Sequence, residues 1–495
     1  MYLLGYDIGS SSLKAALVDA ETGEVVATAS HPETEMEMLS LQSGWAEQLP
    51  EVWWQNLCIV TKKLLEKSGV NAADLGAIGI GYQMHGLVTV DKDGKAIRPA
   101  IIWCDSRAVD IGEQAFREIG PDYCLQHYLN SPGNFTASKL KWVKDNEPAL
   151  YEQIKYFMLP GDYIAYRLTG EAMTTVSGLS EGILWDFAAN DVSTRLLDHY
   201  GIDRALAPPV APTFGLQGRL GTAAAAELGL KAGVPVAYRA GDQPNNALSL
   251  GALNPGEVAA TGGTSGVVYG VTDRLAGDPL QRVNSFAHVN HRPEQPRVGV
   301  LLCINGSGIL YGWMRKQVAN GDISYGDMEQ IAATAPVGAD GLRILPFGNG
   351  AERMFGNRNT GASILNLHFN RHRQAHLYRA SLEGIAFSFI YGVQGLKDLG
   401  LETSLVRAGN DNLFQSKIFS ATIANLLGCR IEIMATTGAV GAAIAAGAGI
   451  GYWSDVREGL SALRCLEVFE PEKDRDMYRE AYEHWAEHLE KTISQ

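Results

Sequence analysis

The 495-residue chain contains only six cysteines, and none lies in a CxxC pair or at a spacing typical of zinc ligands. This scarcity predicts neither a disulfide framework nor a structural zinc site, and it is typical of a reducing compartment. The N-terminus has no basic segment followed by a long apolar core, so we expect no signal peptide. The most apolar stretch, residues 439–451, is shorter than a membrane span requires and predicts a buried helix. We therefore expect a cytoplasmic protein that binds no membrane.

Basic residues are also in deficit, because 41 Lys and Arg stand against 55 Asp and Glu and give a formal net charge of −14. This balance argues against nucleic acid as a partner. It does not argue against a phosphorylated ligand, since backbone N–H groups and magnesium can supply local positive potential.

Length and patterning predict an α/β protein of two large domains. The chain is too long for a single hydrophobic core, and 46% hydrophobic with 19% charged residues is typical of globular proteins. Strand and helix patterns alternate along it, which favours an α/β fold. No low-complexity linker separates the halves, and we place the domain boundary at residues 1–250 and 251–495.

A loop near the N-terminus combines an acid with small residues. An apolar run at residues 3–6 leads to Asp7 and a Gly/Ser loop at residues 9–12, and a second apolar run follows. This pattern predicts a β-hairpin with a carboxylate and exposed N–H groups at its tip. Such a tip can hold a phosphate through its N–H and hydroxyl donors, and magnesium through Asp7.

The same pattern occurs a second time at residues 257–270, where a Gly/Thr/Ser loop again joins two strand-like runs. The two loops open two halves of nearly equal length. Together they predict a duplicated nucleotide-binding fold with a cleft between its halves.

Several polar side chains follow predicted strands: Asp7, His85, Asp105, Asp242 and Asn410. In α/β folds such strand ends commonly meet at a ligand-binding edge. Asp242 starts a predicted helix, where it could be a helix cap or a general base. Phosphoryl transfer requires little more than such a carboxylate, phosphate donors and magnesium.

Other motif-like segments do not meet the structural requirements of their motifs. The chain has no GxxxxGK[ST] sequence, and residues 79–84 lack the last glycine of GxGxxG. Residues 178–182 match GxSxG, but an extended segment follows them instead of the helix that a nucleophile elbow needs. His368, His372 and His376 are four apart, yet the helix is expected to start near residue 373, so we predict no metal site.

The ordered motifs together resemble the FGGY family of carbohydrate kinases over essentially the whole chain. The segments that carry the resemblance are residues 7–14, 44–48, 84–86, 103–107, 135–143, 241–243, 261–265 and 361–385. Some positions depart from the family's pattern, among them Asn366 in place of a usual glycine, Glu181 in place of a usual serine, and Pro244.

The resemblance implies two actin-like, ribonuclease H-like ATPase domains with a deep interdomain cleft. It also implies transfer of the ATP γ-phosphoryl group to a sugar or polyol hydroxyl, with Asp242 as the base. Asp7, with Asp242 nearby, would hold Mg²⁺. The nucleotide would be bound by Gly9, Ser10, Ser11, Ser12, Lys14, Thr261, Gly262, Gly263, Thr264, Gly409 and Asn410.

Residues 84–86, Met-His-Gly, resemble the xylulokinase group of the family, which implies D-xylulose as the sugar and D-xylulose 5-phosphate as the product. The sugar site would then contain Met84, His85, Asp105, Asp242 and Asn245. The alternatives are a kinase for sedoheptulose, ribulose or glycerol, a sugar sensor without catalysis, and an actin-like filament protein. A homodimer is common in the family.

Overall fold

The computed structural model describes residues 1–319 and 321–494, and Asn320 and Gln495 lie outside the described residues. The strands, in chain order, are β1 (Tyr2–Ile8), β2 (Leu13–Asp19), β3 (Val25–His31), β4 (Glu47–Gln48), β5 (Leu75–Tyr82), β6 (Val88–Val90), β7 (Ala100–Ile101), β8 (Tyr156–Met158), β9 (Thr174–Thr175), β10 (Trp185–Asp186), β11 (Asp191–Val192), β12 (Val210–Ala211), β13 (Val236–Gly241), β14 (Glu257–Gly262), β15 (Gly266–Thr272), β16 (Asn284–Ala287), β17 (Val298–Ile304), β18 (Arg343–Leu345), β19 (Ser363–Leu365), β20 (Leu405–Gly409), β21 (Arg430–Met434) and β22 (Cys465–Phe469).

The α-helices are α1 (Pro50–Ser68), α2 (Val109–Ile119), α3 (Pro121–His127), α4 (Thr136–Asn146), α5 (Pro148–Tyr151), α6 (Pro160–Thr169), α7 (Val176–Glu181), α8 (Thr194–Tyr200), α9 (Thr222–Leu228), α10 (Asp242–Ser249), α11 (Gly308–Trp313), α12 (Tyr325–Ala332), α13 (Gln374–Asp398), α14 (Lys417–Leu427), α15 (Gly438–Gly449), α16 (Val456–Leu460) and α17 (Asp476–Ile493). Within residues 1–319 and 321–494, no helix combines the length and apolar character needed to cross a bilayer.

Two large mixed sheets repeat one topology. The first has the order β3-β2-β1-β5-β13, and the second contains β17-β15-β14-β20-β21, flanked by β16 and β22. In each series the first three strands run antiparallel to their neighbours. The third, fourth and fifth strands run parallel to one another. Both predicted hairpins are present, as β1–β2 and β14–β15. The predictions of an α/β fold and a duplicated hairpin are therefore confirmed.

Helix α1 covers one face of the first sheet. The apolar residues that recur at helical spacing after Pro50, over residues 52–65, predict this helix. Pro50 occupies the first turn, where its missing N–H costs nothing, and Gly69 ends the helix with φ 65°. Its buried face includes Trp53, Trp54 and Leu57, which pack in the core together with β1, β2 and β5.

Helix α15 covers the other face of the first sheet, although it lies far along the chain. Its Ala- and Gly-rich sequence allows very close approach, because a Cβ at Gly5 of β1 would lie 1.9 Å from the Ala439 carbonyl oxygen. A Cβ at Gly79 of β5 would lie 1.9 Å from the Ala442 carbonyl oxygen. The predicted buried helix is confirmed. The division at residue 250 stays a prediction. Helices α15 and α16 belong to the second half by sequence, but they share a hydrophobic core with the first sheet.

Some element boundaries differ from the sequence-based predictions. The strand expected at residues 234–238 runs to Gly241, because its backbone pairing with β5 continues to Tyr82. The helical pattern of residues 245–253 extends back to Asp242, which starts α10 as predicted. The strand expected at residues 100–103 ends at Ile101, and the helix expected at residues 414–427 starts at Lys417, after a capping Ser416.

Helix α13 begins at Gln374, as expected, so that His376 lies in its first turn while His368 and His372 precede it. His372 Nδ1 accepts from the His368 N–H at 3.0 Å, and His376 Nε2 lies 3.1 Å from Asp340 Oδ2. Across the residues that the structure describes, no group of three His, Cys, Asp or Glu is placed to hold a metal ion. Asn366 has φ 58°, the left-handed conformation that the family's usual glycine adopts easily and that asparagine tolerates.

We expect Gly79→Ala to destabilise the fold by about 2 kcal/mol or more, because the backbone of α15 would have to move. Gly76→Ala, in the same strand, is the matched control, since its Cβ would meet only the flexible side chain of Met1. Urea unfolding midpoints of the two variants and the wild type measure the effect. Equal midpoints for both variants would contradict this account of the packing.

Candidate active site

The carboxyl ends of three parallel strands meet at one edge of the first sheet. Asp7 lies at the end of β1, opposite Gly81 of β5, while Gly241 at the end of β13 lies opposite Tyr82. Asp242 follows at once as the first residue of α10, and Met84 and His85 follow β5. The sheet thus brings together Asp7, the Met-His pair and Asp242, which the sequence placed after separate strands.

Asp7 and Asp242 lie close enough to act on each other electrostatically. Burial and the charge of Asp7 raise the pKa of Asp242 from 3.8 to about 7. Burial also raises the pKa of Asp7, and Lys14, whose Nζ is 3.9 Å from Asp7 Oδ2, partly offsets this. Two carboxylates with one distant lysine leave uncompensated negative charge. This donor set fits Mg²⁺, which proteins usually hold by one or two carboxylates together with substrate phosphates and water.

His85 is held in one orientation by its neighbours. Its backbone has φ 58°, a strained value for a non-glycine residue, and its Nδ1 lies 3.0 Å from the Glu181 carbonyl oxygen. Its ring packs against Phe135 and Phe286, with centroids 4.8 and 5.4 Å away. Burial, followed by the charge of Lys139, lowers the pKa of His85 to about 3, so the imidazole is neutral.

The nitrogen of His85 that faces Glu181 must donate, because a carbonyl oxygen can only accept. The other ring nitrogen, Nε2, is then a hydrogen-bond acceptor. Met84 adjoins Asp242 from the same turn, since a Cβ on Gly241 would lie 2.6 Å from Met84 Cγ. This pocket therefore offers a carboxylate, a neutral acceptor and an apolar thioether side by side.

Two predicted sugar ligands have other contacts. Asp105 is fully buried, and its carboxylate accepts from Ala46 N at 2.7 Å and from the Arg107 guanidinium at 2.7–3.0 Å. Both carboxylate oxygens are therefore engaged within the protein, where Asp105 fixes the loop that carries Arg107. The sugar contact predicted for Asp105 stays a prediction.

Asn245 is also fully buried. Its Nδ2 donates to the Gly438 carbonyl at 2.9 Å, and so joins α10 to the start of α15. A Cβ at Gly438 would lie 3.1 Å from Asp7 Oδ2 and 3.3 Å from Asn245 Nδ2, so the amide lies close to Asp7. Its Oδ1 has no hydrogen-bond partner within the described parts of the chain. The sugar contact predicted for Asn245 stays a prediction.

The two small-residue loops are fixed by different neighbours. In the first, Gly9 N donates to Ser12 O at 3.2 Å, and Trp103 Nε1 donates to Ser10 Oγ at 3.2 Å. In the second, the Gly263 and Thr264 carbonyls accept from the first residues of α11 at 3.0 and 3.1 Å. The Gly263 and Thr264 carbonyls of the second loop therefore face α11.

The predicted adenosine segment lies next to the second loop. Strand β20, which ends at Gly409, pairs with β14, where Ala408 lies opposite Ala260. Asn410 follows Gly409, and a Cβ at Gly263 would lie 4.0 Å from Asn412 Nδ2. The predicted nucleotide residues Thr261, Gly262, Gly263, Thr264, Gly409 and Asn410 therefore form one continuous region of the second sheet.

Sequence reasoning did not assign a role to Glu181, which lies directly under the site. The side chain is buried, and neither carboxylate oxygen has a hydrogen-bond partner among the described residues. Burial raises the pKa of Glu181 well above its usual value, and the charge of Asp242 adds to this effect. A Cβ on Gly241 would lie 2.1 Å from Glu181 Oε2, which explains the glycine before Asp242. The sequence signal that could have pointed to Glu181 is that residues 180–182 read Ser-Glu-Gly where the family usually has Ala-Ser-Gly.

Comparison with known proteins gives matches over both halves. A model described as "FGGY family of carbohydrate kinases, N-terminal domain" matches residues 2–249, and the corresponding C-terminal domain matches residues 258–450. The chain is 28% identical to a xylulose kinase of Bacillus subtilis, over 98% of this chain and 97% of that protein. It is 30% identical to an L-xylulose/3-keto-L-gulonate kinase of Escherichia coli, over 94% of this chain and 91% of that protein. The crystal structure of a xylulose kinase from Rhodospirillum rubrum superposes with a TM-score of 0.88 at 28% identity, covering all of both chains.

We expect Asp242→Asn to stabilise the protein more at high pH than at low pH. The folded-state pKa of Asp242 is raised, so the wild type loses stability as the pH rises from about 4 to about 7. At about pH 8 the variant should be more stable by about 2 to 4 kcal/mol, and near pH 5 by much less. Thermal unfolding at both pH values measures this, with the exposed Asp198→Asn as control. A difference between Asp242→Asn and wild type that does not change with pH would contradict the raised pKa.

Proposed function

The chain belongs to the FGGY family of carbohydrate kinases, and on this premise we propose that it transfers the γ-phosphoryl group of ATP to the terminal hydroxyl of a ketose. The ketose that we propose as the preferred substrate is D-xylulose. The observation that carries the proposal is the turn after β5, where Met84 packs against Gly241, the residue before Asp242, and His85 follows Met84. Met-His-Gly is the tripeptide through which the chain resembles xylulokinases, and the relatives named xylulose kinase support the same sugar.

In this proposal Asp242 accepts the proton of the sugar hydroxyl as the oxygen attacks the γ-phosphorus. A base with a pKa of about 7 matches the operating pH, because it is ionised often enough to act and basic enough to accept a proton. Asp7 and Asp242 would hold Mg²⁺, which supplies positive charge to the phosphates when bound. Lys14 adds a second positive charge on the Asp7 side of the cleft.

His85 would orient the sugar. Its Nε2 accepts a hydrogen bond from a sugar hydroxyl, because Nδ1 is committed to the Glu181 carbonyl. Burial keeps the ring neutral across the physiological range, so this acceptor does not titrate away. A strained backbone and two packed aromatic rings hold the acceptor in place before the sugar binds.

The two halves divide the work in this proposal. Residues 1–250 supply the sugar site, the base and the first phosphate loop, residues 9–12. Residues 251–495 supply the second phosphate loop, residues 261–264, and the adenosine contacts near Gly409 and Asn410. Closure of the cleft would exclude water, so that ATP is not lost to hydrolysis. We further propose a cytoplasmic location, since the cysteines stay unpaired, and a homodimeric assembly by analogy with the family.

A panel of sugars tests the substrate. We expect ADP formation with ATP and Mg²⁺ to show the highest kcat/KM for D-xylulose, among D-xylulose, L-xylulose, D-ribulose, sedoheptulose, 3-keto-L-gulonate and glycerol. A higher kcat/KM for another member would assign the site to that sugar, and no ADP formation with any of the six would contradict the proposed ketose substrate.

The pH profile and one substitution test the base. We expect kcat/KM for the sugar to fall below about pH 7 as Asp242 becomes protonated in the free enzyme. Asp242→Asn should lower kcat by about 10²- to 10⁴-fold, because the His85 imidazole, with a pKa lowered to about 3, is too weak a base to replace the carboxylate. Asp198→Asn, an exposed aspartate far from the pocket, is the control. Near wild-type kcat in Asp242→Asn would remove Asp242 from this role.

A further inference from the structure

Arg353 is a charged residue beside the cleft that neither the sequence motifs nor the proposed mechanism uses. It opens a short 3₁₀ turn, residues 353–355. The preceding Glu352 fixes this turn, because its carboxylate accepts from Asn305 N at 3.0 Å and from Gly306 N at 2.7 Å. Those two N–H groups follow directly on β17, so Arg353 is anchored at the cleft end of that strand.

The end of β17 lies beside the second phosphate loop. Cys303 of β17 is paired with Val267, and Ile304 with Gly266, the first residue after the loop. Cys303 is exposed at this end of the strand. Among the charged groups that act on the pKa of its thiol, Arg353 has the largest effect and Asp242 the next, so both lie within electrostatic range of it.

The guanidinium of Arg353 is only partly engaged by the protein. Its Nε donates to the Gln281 carbonyl at 2.7 Å. Gln281 has φ 54°, a strained conformation that is held in place by the neighbouring Asp278. Within residues 1–319 and 321–494, no hydrogen bond or ion pair involves Nη1 or Nη2 of Arg353, and neither atom is shielded from solvent.

The nearest acids are already committed to other groups. Glu352 binds the two backbone N–H groups, and Asp278 binds Arg282 through Nε at 3.0 Å and Nη2 at 3.1 Å. Nη1 and Nη2 of Arg353 are therefore accessible and free to bind an anion. Its planar pair of amino groups suits two oxygens of a phosphoryl group.

We propose that Arg353 is a further catalytic residue, whose free amino groups bind the transferring phosphoryl group when the cleft closes. This inference rests on the proposed kinase function. As the sugar oxygen bonds to the γ-phosphorus, the bond to the bridging oxygen of ADP breaks, and the hydroxyl proton goes to Asp242. Arg353 donates hydrogen bonds to the equatorial oxygens throughout and neither gains nor loses a proton.

Substitution of Arg353 tests the assignment by separating kcat from KM. We expect Arg353→Gln to lower kcat by about 100-fold or more, with the sugar KM changed by less than about threefold. Arg353→Lys should recover part of kcat, because it restores the charge without the bidentate geometry. The control is Arg358→Gln, an exposed arginine in the same loop that contacts backbone carbonyls. An unchanged kcat in Arg353→Gln would overturn the proposal, and so would a loss confined to KM.

A binding measurement separates this inference from the choice of substrate. Mg²⁺, ADP and aluminium fluoride mimic the transferring phosphoryl group without turnover. The wild type should gain thermal stability from fluoride beyond that given by ADP alone, and Arg353→Gln should keep the ADP shift but lose this addition. If the wild type phosphorylates none of the sugars but shows this pattern, the proposed substrate fails and Arg353 keeps its role. If the fluoride shift is the same in Arg353→Gln, the role of Arg353 is wrong even when the sugar is turned over.

Discussion

Two carboxylates at one partly buried sheet edge are the constraint around which this protein is organised. Asp7 and Asp242 raise the local cost of ionisation, and Lys14 offsets only part of it. Such an arrangement opposes folding stability and is retained where the uncompensated charge is used. In the proposed mechanism it gives Asp242 a proton affinity suited to a base, and Asp7 would hold a divalent cation.

The surrounding packing keeps these groups in place. Gly5 and Gly79 let α15 lie directly on the first sheet, and this brings Gly438 beside Asp7 and Asn245. Gly241 leaves room for the buried acid of Glu181 beneath the base. The second half of the chain therefore helps to shape the site of the first half. Through β17 and the turn at Arg353, it also presents positive charge toward the same cleft.

Local patterns in the sequence were sufficient for the elements and for the residues that follow strands. Asp7 and Asp242 could be found because each ends an apolar run and begins a loop or helix, which depends only on neighbouring residues. The contacts of Asp105 and Asn245 could not be found in this way. Asp105 accepts a hydrogen bond from Ala46, and Asn245 donates one to Gly438, 193 residues away. Arg353 was missed for the same reason: its position depends on strand β17 and on Gln281, both distant in sequence.

The most direct test of this account is the pKa of Asp242 itself. Carbon-13 NMR of aspartate carboxyl groups, with the Asp242→Asn spectrum used to assign the signal, measures it in the wild type and in Asp7→Asn. The account predicts a value of about 7 in the wild type and a lower value once Asp7 is neutral. A value near 3.8 in both proteins would contradict the claim that burial and Asp7 together make Asp242 a base.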